Sequence, residues 1–210
     1  LRWRSDWEAR ISHGHSLSGG WLLRCTDRLM TMFTTIDEAP MLPRYLVFTD
    51  LDGCLLDSQT YSFDAARPAL ERLQRSHIPV VLVSRKTRAE IEPLRRQLNH
   101  QGPFIVENGG AVFVPLGTFD FPLDRARRRS TYQVIEFGTP YAMLRDVLKQ
   151  IEEAVGTPLI GFGDLSIDEI MELTGLSREA ALRAKLREYD EPYLVQGPAT
   201  IATEVCRQII

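Results

Sequence analysis

Cysteine is scarce and scattered. Cys25, Cys54 and Cys206 stand far apart, with no CxxC pair and no Cys/His ligand spacing. Neither a disulfide framework nor a zinc site is implied, which fits a reducing compartment such as the cytoplasm. Long apolar runs are lacking too: no stretch approaches the roughly 20 apolar residues of a membrane span. The first residues, Leu1-Arg2-Trp3-Arg4-Ser5-Asp6-Trp7-Glu8, carry charge early and have no apolar signal core. Charge of one sign is not in excess either. A net charge of −3 exerts no general pull toward nucleic acid or anionic membrane, and oligomeric state is left open. Tryptophan is absent beyond Trp3, Trp7 and Trp21. Residues 1–40 show neither sustained helical periodicity nor strand alternation, and a new start is plausible at Met41; an appended leader is expected there.

What is present from residue 45 onward is regular. Tyr45-Leu46-Val47-Phe48-Thr49 is a continuous apolar run, the pattern of a strand covered on both faces. A helix is expected over 65–74, with Ser62 or Asp64 as candidate caps and Pro68 near its start. Residues 78–83 read as a second strand. Thr87 and Glu90 form a capping box for the next helix, in which Pro93 predicts a kink or a delayed start. Residues 104–106 and 111–114 read as two more strands. Strand–helix alternation implies an α/β fold on a parallel, doubly wound sheet, a Rossmann-like core over 41–118. The rhythm then changes. A strand over 132–137, a helix after Thr139-Pro140, a capping box at Ser166 and Glu169, and a helix from Ser177 to about 188 predict an α+β lid over 119–195. Residues 196–210 read as an irregular tail.

Ligands of open parallel sheets bind beyond the carboxyl ends of the strands. Here those ends carry Asp50-Leu51-Asp52-Gly53, Ser84-Arg85-Lys86-Thr87 and Glu107-Asn108-Gly109-Gly110. Two carboxylates separated by one apolar residue suit a divided task. Asp50 can attack phosphorus and form an acyl phosphate. Asp52 can protonate the leaving oxygen and then deprotonate a water. Such a pair also attracts Mg²⁺, a hard cation that favours oxygen and phosphate, so Asp50 and Asp52 are the candidate metal ligands. Gly53 lets backbone amides approach a phosphate. Ser84 can donate a hydroxyl hydrogen bond, and Lys86 can supply positive charge to the transferring group. Glu107 reads equally well as a group that holds its own loop. Arg125, Arg127, Arg128 and Arg129 read as a solvated basic face, and the four histidines join no motif.

Asp50-Leu51-Asp52-Gly53 after an apolar strand, with Ser84 ending the next, resembles the first two motifs of the haloacid-dehalogenase superfamily. Glu107-Asn108-Gly109 is similar to its subgroup with a large type-IIB lid. Ser84-Arg85-Lys86-Thr87-Arg88-Ala89-Glu90, Gly161-Phe162-Gly163-Asp164 and Arg187-Glu188-Tyr189-Asp190-Glu191-Pro192 together resemble the mannosyl-3-phosphoglycerate phosphatases, over about 150 residues. The resemblance implies Mg²⁺-dependent hydrolysis of a sugar phosphate, with mannosyl-3-phosphoglycerate first and glucosyl-3-phosphoglycerate or sucrose phosphate as alternatives. It also implies that Asn108, Arg187 and Asp190 bind substrate, Arg187 and Asp190 against the glycerate carboxylate and sugar hydroxyls; a surface ion pair is the competing reading for those two. Two departures stand out. Cys54 replaces the usual Thr, and the 18 residues after Pro192 hold one acid, Glu204, and no Lys. The third-motif lysine and fourth-motif acids are therefore not found. A truncated, poorly active chain is expected, or a non-catalytic fragment.

Overall fold

The computed structural model describes residues 45–196, 205 and 207. The leader expected over 1–40 and most of the tail expected over 196–210 lie outside them. Three strands, β1 (Val47–Asp50), β2 (Val80–Val83) and β3 (Phe104–Val106), run parallel in the order of the sequence. They are joined by α1 (Arg67–Arg75) and α2 (Arg88–Gln97). Asp50 lies opposite Val83, and Val83 opposite Ile105, so the three carboxyl ends finish side by side.

The α/β class is as expected, but the sheet is mixed. After β3 the chain reverses in a single 3-10 turn, Glu107–Gly109, and returns as β4 (Ala111–Pro115) antiparallel to β3. A turn that short makes a hairpin, because a parallel return needs a crossover of a dozen or more residues. Then β6 (Tyr132–Glu136) pairs with β4 and β5 (Arg127–Arg129) with β6, giving the order β1-β2-β3-β4-β6-β5. The division expected at 118/119 therefore falls inside this sheet, since two strands from beyond it complete the antiparallel half.

Leu51, Leu82, Phe104, Val106, Phe113 and Val134 are buried at the centre of this layer. The expectation that the first strand is covered on both faces is corrected. Among the described residues β1 ends the sheet, and Phe48 is 57% exposed, with Leu46 on the same face also exposed. Local signals fare better. Thr87 and Glu90 close both halves of their capping box, and Pro93 sits inside α2 without delaying its start. α1 starts two residues later than expected and has no side-chain cap, because Ser62 donates to Asp64 and Asp64 takes Arg67.

Beyond the sheet, α3 (Tyr141–Val155) follows Pro140 and ends at Gly156 in the left-handed conformation. β7 (Leu159–Gly161) pairs antiparallel with β8 (Tyr193–Val195), and between them lie α4 (Ile167–Thr174) and α5 (Arg178–Ala184). The predicted box at Ser166/Glu169 and the cap at Ser177 both form. This unit has apolar clusters of its own, one around Phe162, Ile170 and Ala181 and another around Leu148, Ile151 and Leu159. The last helix stops at Ala184 rather than near 188, because Glu188, Tyr189 and Asp190 turn their backbone amides onto Glu107 instead. Among the described residues, no helix is long and apolar enough to cross a membrane.

Candidate active site

The two carboxylates at the end of β1 have unlike surroundings. Asp50 is exposed, and one oxygen accepts from the Leu51 amide at 2.7 Å. That bond orients the carboxylate while the other oxygen stays open for attack. The turn behind it closes when the Gly53 amide donates to the Leu56 carbonyl at 2.9 Å, with Gly53 at φ +75° where a side chain would be strained. Asp52 points inward. Both of its carboxylate oxygens are buried without a hydrogen-bond donor. Lys86 Nζ stands 3.2 Å from one of them and Arg85 Nε 3.7 Å from the other, as ion pairs outside hydrogen-bond geometry. A carboxylate left with unfilled lone pairs in a buried place is poised for a proton, a water or a cation.

Ser84, buried at the end of β2, accepts from the Lys86 amide through its hydroxyl oxygen at 3.2 Å, so its own hydrogen remains to be donated. Lys86 also lies over the Tyr61 ring, 5.5 Å from its centroid. Asn108 is left-handed at φ +57° and donates to Asp190 at 3.1 Å. Arg187 pairs with Asp190 and donates to the Arg85 carbonyl at 3.3 Å. The Arg187 side chain is 7% exposed and that of Asp190 23%, so the ion pair is partly buried. The candidate residues thus form one connected set: Asp52 to Lys86 and Arg85, Arg85 to Arg187, Arg187 to Asp190, Asp190 to Asn108. Cys54 is exposed.

Glu107 is the residue whose part the sequence left undecided. It is 2% exposed and left-handed at φ +46°. Its carboxylate holds the lid's return segment, accepting from the amides of Glu188 at 3.0 and 3.1 Å, Tyr189 at 2.8 Å and Asp190 at 3.0 Å. Burial pushes its pKa up, and the amide donors oppose that shift. With its oxygens engaged by backbone, Glu107 acts by positioning Asp190 and Arg187. No signal within a few residues of Glu107 could have shown this, because its partners lie more than 80 positions away. Arg88 adds a second tie to Glu188 at 2.9 Å, and Thr87 a third to the Arg183 carbonyl at 3.0 Å.

In the unit beyond the sheet, Arg145 forks onto Asp164 and also reaches Glu191 at 2.6 Å. Gly161 and Gly163 have no room for a Cβ, because Arg145, Glu191 and Tyr141 lie against them. The Gly-Phe-Gly-Asp spacing therefore records a charged side chain lying on backbone. Among the described residues, no three His, Cys, Asp or Glu converge as a metal cage.

Residues 47–118 match the family model of haloacid dehalogenase-like hydrolases. Over that stretch the chain is similar to a haloacid dehalogenase-like hydrolase domain. Asp50, Asp52, Ser84, Lys86 and Asn108 all lie within the matched stretch of that domain. A Methanococcoides burtonii protein named glucosyl-3-phosphoglycerate/mannosyl-3-phosphoglycerate phosphatase is 43% identical over 166 residues, covering 79% of this chain and 61% of that protein. One of the same name from Persephonella marina is 40% identical, covering 74% and 57%. The mannosyl-3-phosphoglycerate phosphatase of Pyrococcus furiosus is 38% identical, covering 70% and 58%. The chain thus spans about three fifths of the length of these relatives.

Proposed function

We propose that the dehalogenase-like domain and its lid serve hydrolysis of the phosphomonoester of mannosyl-3-phosphoglycerate, giving mannosylglycerate and phosphate in the cytoplasm. The observation that carries the reading is the contrast at the end of β1: an exposed, oriented Asp50 beside a half-buried Asp52 whose two carboxylate oxygens are covered and lack donors. The open oxygen of Asp50 attacks phosphorus, the bond to the sugar-side oxygen breaks, and an aspartyl phosphate remains. Asp52 gives its proton to the departing oxygen, then removes one from the water that attacks the aspartyl phosphate. Lys86 and the Ser84 hydroxyl bind the phosphoryl oxygens, and Gly53 lets the loop amides face them. Asn108, Arg187 and Asp190, joined across the core–lid junction, address the glycerate and sugar.

The donor set suits Mg²⁺ in part. Asp50 and Asp52 offer two acidic positions, and Mg²⁺ commonly uses one or two carboxylates with water and phosphate filling the rest. When bound, the ion offsets the repulsion between an anionic nucleophile and an anionic substrate. Glucosyl-3-phosphoglycerate is a second reading, favoured by the names of two relatives that carry both substrates.

The test is a chimera in which this chain replaces the matching segment of the Methanococcoides protein. Phosphate release from mannosyl-3-phosphoglycerate in Mg²⁺ is expected, and Asp50→Asn is expected to abolish it with the fold intact. A loss of less than roughly a hundredfold in the Asn variant sinks the assignment of the nucleophile.

A further inference from the structure

A cavity of about 590 Å³ lies away from Asp50 and Asp52, between α2 and the β5–β6 hairpin. Four arginines line it: Arg88, Arg95, Arg96 and Arg129. Two are already answered. Arg88 pairs with Glu92 and Glu188, and Arg129 with Glu188 and Glu136. The other two are consecutive on α2 and have no carboxylate partner among the described residues.

Arg95 is the unusual one. Its residue is 7% exposed, yet its three hydrogen bonds all go to neutral acceptors: His100 Nδ1 at 3.2 Å, the Tyr132 hydroxyl at 3.1 Å and the Gly102 carbonyl at 2.8 Å. A guanidinium has five N–H donors, so two are left without an acceptor. Further support comes from π faces, with Phe104 at 4.3 Å and Tyr132 at 5.8 Å from the guanidinium carbon. Burial lowers its pKa, the mark of a cation held in the interior without a counter-ion in contact. His100 adds no charge. Its Nδ1 accepts from Arg95, so Nε2 carries the hydrogen that meets the Val80 carbonyl at 2.8 Å. Glu92, already paired with Arg88, also lines the cavity and acts on Arg95 at longer range, and the carboxyl end of α2 adds about half a unit of negative charge, against two guanidiniums.

We propose that this cavity is a second binding site, for a small molecule bearing an oxyanion, phosphate or carboxylate, gripped by Arg95 and Arg96. The planar donor fork of arginine matches either head group, and the Tyr132 hydroxyl, which accepts from Arg95, keeps its hydrogen for the same ligand. The body of the ligand has the half-buried Tyr132 to lie against. The site is separate from the phosphate-cleaving edge: none of Asp50, Asp52, Ser84 and Lys86 lines the cavity. It does not rest on the proposed activity.

The test is titration of the ¹⁵N-labelled chain with inorganic phosphate and, separately, with acetate, in EDTA at constant ionic strength. The arginine side-chain Nε–H signals and the amides of His100 and Gln101 are followed. Saturable shifts of the Arg95 and Arg96 signals are expected. Arg96→Glu should weaken them about tenfold or more, while its remaining spectrum overlays the parent. Ser84→Ala should leave them unchanged. Saturation by phosphate alone fixes the head group as phosphate, and by acetate alone as carboxylate. Two results overturn the proposal: no saturable shift at Arg95 and Arg96 with either probe, or shifts that Ser84→Ala removes and Arg96→Glu does not.

Discussion

Replacing Glu107 by Gln keeps its shape and removes its charge, and the bonds that its carboxylate makes set the cost. One carboxylate oxygen of Glu107 takes the amides of Glu188, Tyr189 and Asp190, and the other takes Glu188 again. With the amide oxygen in the first position, three bonds drop from charged to neutral acceptance, about 1 kcal/mol each. The amide nitrogen then meets the Glu188 N–H as donor against donor. Against this, a neutral amide is less costly to bury than a carboxylate, which offsets about a third of the loss and leaves about 2 kcal/mol. That amount corresponds to exchange about thirtyfold faster at the amides of residues 188–190, if those amides exchange by opening of the junction. The assay is native-state hydrogen exchange read by residue, with denaturant unfolding alongside. Unchanged exchange at 188–190, with the unfolding midpoint also unmoved, would refute the view that Glu107 holds the lid's return segment.

Two other substitutions test neighbouring claims. Gly110 has an ordinary helical φ of −59°, so only space explains its lack of a side chain; an added Cβ would collide with Cβ of Tyr189. Gly110→Ala is expected to destabilise by about 1–3 kcal/mol through overpacking, and an unmoved thermal midpoint would show that Tyr189 packs more loosely on this turn. Asp164 is held below its ordinary 3.8, chiefly by the Arg145 fork. Its folded pKa is lower than its unfolded one, so its contribution is present above pH 3.8 and lost as pH falls through the folded value. Asp164→Asn should therefore show a shallower loss of denaturant midpoint on the acid side, and an identical acid slope would contradict the pairing.

What was legible in the sequence is what a few neighbouring residues determine. Thr87 and Glu90, or Ser166 and Glu169, satisfy one another within a single helical turn, and both boxes form where the spacing puts them. Asp50, Ser84 and Glu107 could be placed on one edge because parallel strands bring their carboxyl ends together whatever lies between. The reversal after β3 was hidden for the opposite reason. It needs two successive left-handed residues, Glu107 and Asn108, neither a glycine, and their conformation is held by contacts with Glu188, Tyr189 and Asp190. No local pattern announces a glutamate at positive φ. The early end of α5 has the same origin, since the amides that could have extended the helix are spent on Glu107.

Several of these distant contacts fall on a narrow target. The unit beyond the sheet touches the core through Arg183 to Thr87, Arg187 to the Arg85 carbonyl, Glu188 to Arg88, and Asp190 to Asn108. Each of these core partners stands next to, or within, the two loops that also carry Ser84, Lys86 and Glu107, while Arg129 and Glu136 of the β5–β6 hairpin hold Glu188 and Tyr189. A movement of the lid therefore cannot leave the loop behind Asp52 untouched, because Arg85 and Lys86 face Asp52 while Arg187 holds Arg85 from the other side. Packing alone would let a lid dock anywhere along an apolar seam. Docking through side chains of these loops and the Arg85 carbonyl ties the position of this unit to the placement of Lys86 against Asp52. In this molecule the same few residues join the two units and arrange the groups that would meet a phosphate.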